Sequence, residues 1–318
     1  TMSIELRKVA IIGTGHVGSH VAFSLATQGE VDQLYMVDID KDKAIAQATD
    51  INDAVSYLPH RVEAIACEPE DIGDCDILVI SAGPLPSPEQ DRLDTLGSTI
   101  EVLREFLPRV KVSGFNGFIV SISNPADVVA AYVQEYLDYP KHKIISSGTS
   151  LDSARLQRLV AEQIHVHRRS LSCYAMGEHG GSAMVPWSHV TVSGKPLKEL
   201  QQELPHRFPT FDEDAVVEQM KYGGYLVLIG KGSTEFGIAA SVTEIIRAYF
   251  HDEQKVLPLS CKLEGEYGEH NVFASVPAII GKNGIEEILT LHLTPSEQEA
   301  FHNSCERIRE YIKLAHTL

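Results

Sequence analysis

Four short stretches of this 318-residue chain set acids, bases and glycines together in ways that could do chemistry. Gly177-Glu178-His179-Gly180-Gly181 places a histidine among glycines, which implies a close approach to the backbone or a positive φ. Leu151-Asp152-Ser153-Ala154-Arg155 puts an acid and a base at i, i+3, on one face of a helix. Ser123-Asn124-Pro125 ends an apolar run, and the stretch from Ser81 to Arg92 reads as a loop containing Pro84, Pro86 and Pro88 with an arginine at its far edge. Singly, each has a plainer reading: a surface or core histidine, a helical ion pair, a helix N-cap and a surface loop. Jointly they are complementary. Removing hydride from a carbon that bears a hydroxyl also requires removing the O–H proton, and a histidine titrating near neutrality suits that step. A buried carboxylate fixes the tautomer of such a histidine and stabilises the imidazolium. A bidentate arginine is what a substrate carboxylate calls for.

A fifth motif binds rather than reacts. Gly13-Thr14-Gly15-His16-Val17-Gly18 follows the apolar run Val9–Ile12 and opens an amphipathic helix in which Val17, Val21 and Leu25 form one stripe. G-x-G-x-x-G alone is weak, but between a strand and a helix it is a dinucleotide turn. Gly13 allows the tight turn, Gly15 lets backbone approach a pyrophosphate, Gly18 lets helix and strand pack, and the helix N-terminus offers free N–H groups. Asp38 ends the next apolar run, 25 residues after Gly13. Its carboxylate can accept from both ribose hydroxyls and would repel a 2′-phosphate, so NAD is expected. The competing assignment has Asp38 capping the following helix and Asp40 on the ribose.

G-E-H-G, L-D-S-A-R and S-N-P, in this order behind the glycine turn, resemble the lactate/malate dehydrogenase superfamily over essentially the whole chain. The resemblance implies an NAD-dependent L-2-hydroxy acid dehydrogenase of the lactate type, serving fermentative carboxylic acid metabolism. His179 would be the acid/base, Asp152 its orienting partner and Arg155 the carboxylate clamp. Arg92 would swing in on a closing loop that excludes water. Asn124 would bond near the substrate oxygen and the nicotinamide, and Thr234 would line the substrate pocket. His16, Val17, Ala82 and Gly83 complete the expected cofactor contacts. Six residues before Arg92, where the family selects its substrate, stands Pro86. Pro86 gives a second carboxylate no cation, so malate is disfavoured and pyruvate or a bulkier 2-oxo acid such as 2-oxoisocaproate is expected. Gln157 and Ser172 stand where relatives activated by fructose 1,6-bisphosphate carry arginine and histidine, so no such activation is expected. The resemblance also implies a homotetramer or homodimer. Alternatives are a malate dehydrogenase, an NAD-dependent glycosidase using a metal near Cys173, and a non-catalytic NAD-binding protein.

These residues need a scaffold, and its pattern is visible. Val9–Ile12, Leu34–Val37, Ile77–Ile80, Phe118–Ile122 and Ile144–Ser147 are short and Val/Ile-rich, as strands buried on both faces of a parallel sheet are. Helical patterns alternate with them at 92–112 and 126–137, the latter with Pro125 in its first turn. The fold class is therefore α/β: a Rossmann-type doubly wound parallel sheet over residues 1–147, followed by a mixed α+β substrate domain over 148–318. In the second part, helices are expected at Leu151–Gln163, near 213–230 and 233–250, and from Pro295, with an extended segment at Val190–Val192. The net charge of −17 argues against nucleic acid as a partner. No apolar run is long enough to span a membrane. Five cysteines without a C-x-x-C pair suggest reduced thiols, no metal site and a cytoplasmic location.

Overall fold

The structure, a computed structural model, describes residues 4–84 and 92–318, without the side chains of residues 92–94. The apolar runs of the first half become β1 (Lys8–Ile12), β2 (Gln33–Val37), β4 (Ile77–Ile80), β5 (Phe118–Ser121) and β6 (Ile144–Ser146), joined by β3 (Glu63–Ala66). All six pair in parallel, in the order β3-β2-β1-β4-β5-β6. Strand alternation splits their side chains between two cores. Val9, Ile11, Ile77, Val79 and Phe118 enter one, and Ala10, Ile12, Leu78, Ile80 and Ile119 enter the other. Helices α1 (His16–Gln28) and α2 (Lys41–Val55) pack on the first face, and α3 (Arg92–Ser113) and α4 (Ala126–Leu137) on the second. Gly29 ends α1 in the left-handed region at φ 70°. Pro125 stands at the N-cap of α4 with extended φ/ψ, one position before the first turn.

The second half continues with α5 (Ser150–Ile164), a small antiparallel sheet of β7 (Leu171–Ser172), β8 (Thr191–Val192) and β9 (Lys195–Pro196), then α6 (Leu197–Glu203), α7 (Glu213–Lys231) and α8 (Phe236–Phe250). Leu156, Val160, Leu171, Val190 and Met220 build a third core among them, while α8 packs beside α1. Two long antiparallel strands and a short third then follow, which the sequence reading did not place: β10 (Lys255–Glu264), β11 (His270–Gly281) and β12 (Gly284–Ile288). They join the parallel sheet where Ser260 of β10 meets Ser146 of β6, giving nine strands. The chain closes with α9 (Pro295–Ala315), whose start is a capping box between Thr294 and Glu297. Among the described residues, no helix is long and apolar enough to cross a membrane.

Candidate active site

The strand order reverses between β1 and β4, and ligands of such sheets collect outside the strand ends at that point. The Gly13 turn leaves β1 there and Ser81-Ala82-Gly83 leaves β4. Gly13 has φ 93°, and its N–H donates to the Val37 carbonyl at 2.8 Å. A Cβ at Gly13 would lie 2.2 Å from the Ser81 carbonyl oxygen, and one at Gly18 would lie 1.8 Å from the Gly13 carbonyl oxygen. A Cβ at Gly15 would meet no protein atom within 4 Å. The first and third glycines are thus required by the protein itself, whereas the second borders open space. Gly15 is also the N-cap of α1 and brings no side-chain cap, so the first N–H groups of the helix suit an anion.

Asp38 closes the turn from the side. Its carboxylate accepts from the Thr14 N–H at 2.7 Å, the Thr14 hydroxyl at 3.0 Å and the Asp40 N–H at 3.0 Å. Asp40, not Asp38, caps α2, accepting from the Lys43 N–H at 3.1 Å. Of the two acids, Asp38 is therefore the one that borders the cleft, a volume of ≈ 420 Å³ also lined by Gly13, Gly15, Ala82, Gly83 and the apolar Val102 and Phe106. Gly18 is buried beneath the turn and Val17 is half-buried. The His16 ring turns to Glu235, with Nδ1 3.1 Å from the carboxylate. The donors and the shape fit a dinucleotide: glycine backbone and a helix N-terminus for the pyrophosphate, Asp38 for a ribose, and an apolar slot beyond.

Asn124 opens the segment that leads into α4. Thr99 bonds its carbonyl at 3.1 Å, and its neighbour Ser123 donates to the Ala82 carbonyl at 2.6 Å, so the loops after β4 and β5 are stitched together. The Asn124 side chain is exposed. One helical turn later Asp127, buried at 2% exposure, accepts from the main-chain N–H of His179 at 2.9 Å. The cofactor cleft and the histidine are thus joined through the first turn of α4.

His179 Nδ1 lies 2.5 Å from Asp152 Oδ2, and Arg155 Nη1 donates to the other oxygen of the same carboxylate at 3.2 Å. Asp152 and Arg155 share a face of α5 as their spacing predicts, and both are largely buried. Burial alone would raise the Asp152 carboxyl, but the His179 ring and the Arg155 guanidinium outweigh it and hold it below the ordinary value. Gly177 has φ 87° and exchanges two main-chain bonds of 2.9 Å with Ser275 of β11. The Glu178 N–H donates to Ser304 of α9 at 2.8 Å. The unforeseen hairpin and the last helix therefore hold the histidine loop. Gly223 and Gly224 of α7 were also missed. A Cβ at Gly223 would lie 3.0 Å from Arg155 Cδ, and one at Gly224 would lie 3.5 Å from Nη1. Two adjacent glycines inside a helix were the available signal, since each costs helix stability. Thr234 is half-buried in the turn between α7 and α8. Pro86 and the Arg92 side chain lie outside the described residues, while the Arg92 backbone begins α3. Gln157 bonds the Leu171 carbonyl at 3.1 Å, and Ser172 is exposed on β7. Cys173 is buried, which pushes its thiol up to about 12.

A family model of the lactate/malate dehydrogenase NAD binding domain matches residues 7–146, and one of the lactate/malate dehydrogenase alpha/beta C-terminal domain matches residues 149–318. L-lactate dehydrogenase 3 of Bacillus thuringiensis is 41% identical over 312 residues, 98% of this chain and 99% of that protein. Among solved structures, the ligand-bound minor L-lactate dehydrogenase of Enterococcus mundtii superposes with a TM-score of 0.91 at 34% identity, covering 97% of this chain and 98% of that one. The malate dehydrogenase of Cryptosporidium parvum superposes with a TM-score of 0.92 at 27% identity, covering 99% and 100%. Fold similarity of this degree does not separate the two substrates.

Proposed function

This chain belongs to the lactate/malate dehydrogenase family, and from that premise we propose that it reversibly reduces pyruvate, or a bulkier apolar 2-oxo acid such as 2-oxoisocaproate, to the L-2-hydroxy acid. NAD, the cofactor of the family, supplies the hydride acceptor for oxidation and, reduced, the hydride donor for reduction. The observation that carries the reading is the chain of contacts from His179 through Asp152 to Arg155, at 2.5 and 3.2 Å, linked through the start of α4 to a cleft fit for a dinucleotide.

Asp152 holds His179 Nδ1 and leaves Nε2, on the far side of the ring, to exchange the proton of the substrate oxygen. Because Asp152 stays ionised, it stabilises the imidazolium between turnovers. Arg155, its aliphatic part packed against the α7 glycines, pairs with the substrate carboxylate. Asn124 bonds the substrate oxygen and Thr234 lines the substrate side chain. Arg92 polarises the carbonyl. Gly13, Gly15, His16, Val17, Gly18, Asp38, Ala82 and Gly83 hold the cofactor, with residues 1–147 as the cofactor domain and 148–318 as the substrate domain. The family boundaries at 146 and 149 support that division.

Pro86 sets the substrate class, since a second carboxylate would be buried without a cation. Gln157, turned to a main-chain carbonyl, supports independence from fructose 1,6-bisphosphate. The five free thiols support a cytoplasmic setting. Exposed Tyr222, Tyr225, Leu226 and Ile229, at helical spacing on α7, offer a surface for a homotetramer or homodimer.

NADH oxidation with pyruvate, 2-oxoisocaproate and oxaloacetate tests the reading. Oxaloacetate should be poorer by about 100-fold in kcat/KM, the ~3 kcal/mol of an unpaired buried charge. Oxaloacetate as the best substrate, a several-fold fall in KM on adding fructose 1,6-bisphosphate, or unchanged turnover in His179→Ala would each overturn its part of the proposal.

A further inference from the structure

Asp127 has no place in the chemistry described so far, yet both of its oxygens are bonded and one of them holds the histidine loop. One accepts from the His179 main-chain N–H at 2.9 Å and the other from the Ser260 hydroxyl of β10 at 2.6 Å. Ser275 anchors Gly177, Ser304 anchors Glu178, and the Glu178 carboxylate accepts from the Ser182 N–H at 3.2 Å. Asp127 bonds the peptide of the histidine itself. It lies three residues after Asn124, at the start of a helix whose entry is pinned by Thr99. We propose that Asp127 is a positioning residue that locks the His179 main chain to the first turn of α4, fixing the distance between the acid/base histidine and Asn124.

Stability does not account for this carboxylate. Burial without a bonded Lys or Arg penalises its charged form and lifts its pKa to about 6, with Ser260 and His179 offsetting only part of the cost. A misplacement of roughly 1 Å at a reacting group costs on the order of 100-fold in rate, so a group that prevents it can persist despite its cost.

The inference rests on His179 being the acid/base, and the test separates the two. Wild-type protein that turns over no 2-oxo acid with NADH refutes that reading, and this role with it. Given wild-type turnover, Asp127→Ala should lower kcat by about 100-fold while the NADH Kd from fluorescence titration stays within about twofold. Asp127→Asn can still accept the His179 N–H and donate to the Ser260 oxygen, so it should recover kcat to within about fivefold of wild type. If Asp127→Ala does not fold, Ser260→Ala keeps the carboxylate but releases one side of it, and should cost kcat roughly threefold to tenfold at unchanged NADH affinity. Three results would overturn the role: wild-type kcat in Asp127→Ala, no recovery in Asp127→Asn, or wild-type kcat in Ser260→Ala.

Discussion

Replacing Asp127 by asparagine should stabilise the folded protein at neutral pH, and the gain should vanish in acid. Folding lifts this carboxyl from the ordinary 3.8 to about 6, because burial disfavours its charge more than the bonds from Ser260 and the His179 N–H favour it. Between those two values the folded state holds a proton that the unfolded chain has lost. Stability therefore falls as pH rises through that window, and the deficit is complete above it. At 1.36 kcal/mol per tenfold, the rise corresponds to about 3 kcal/mol at neutral pH. Asparagine has no charge to desolvate but makes neutral bonds in place of charge-assisted ones, which leaves a net gain of about 2 kcal/mol. Parallel urea or thermal unfolding of wild type and Asp127→Asn, from roughly pH 7.5 down to roughly pH 4, reads the difference directly. The gap should be full at the top of that range, narrow through pH 6 and close near pH 4. A variant less stable than wild type at neutral pH, or a gap that does not change with pH, would refute the reasoning.

Asp152 should behave with the opposite sign. Its carboxyl is held below the ordinary value by His179 and Arg155 despite burial, so its stabilising contribution is present above that value and lost as pH falls through the folded pKa. Asp152→Asn should therefore be destabilised at neutral pH, with a deficit that shrinks only in strong acid, and its kcat should fall by roughly 1,000-fold; equal turnover in variant and wild type would count against its role. The glycine turn offers a cleaner separation of binding from folding. Gly15→Ala, with φ −72° and no protein atom within 4 Å of the new Cβ, should melt like wild type while the NADH Kd rises by about tenfold or more. Gly18→Ala, whose Cβ would lie 1.8 Å from the Gly13 carbonyl oxygen, should lose stability outright in thermal melts.

What the sequence disclosed and what it hid divide along the range of the interactions. Five of the six parallel strands were legible because burial on both faces demands unbroken apolar runs such as Ile77–Ile80, whereas the edge strand β3, with its exposed Glu63, was not. Strands β10 and β11 were not, although Leu257, Leu259, Cys261 and Leu263 alternate. Pro258 and Pro277 read as breakers, and in the structure they face each other across the pair. Serines at 260 and 275 added to the disguise: they look like surface positions, but they face each other on adjacent strands, and one bonds Asp127 while the other bonds the Thr149 N–H. The reacting residues stood out because Asp152 and Arg155 sit one turn apart and His179 sits among glycines. Between Asp38 and Asp40 the sequence favoured Asp38 for the ribose because it lies nearer the strand end, and the cap of Asp40 onto the Lys43 N–H supports that assignment. Asp127 was invisible for a different reason. An acid in the first turn of a helix is ordinarily read as complementing the helix dipole, and nothing local reveals that its partner is a peptide N–H 52 residues away. Side chains that react can be recognised by type and spacing, but those that hold them act through backbone groups that every residue has. The supporting parts of such a site must therefore be found in the fold, and Asp127 is where that distinction can be measured here.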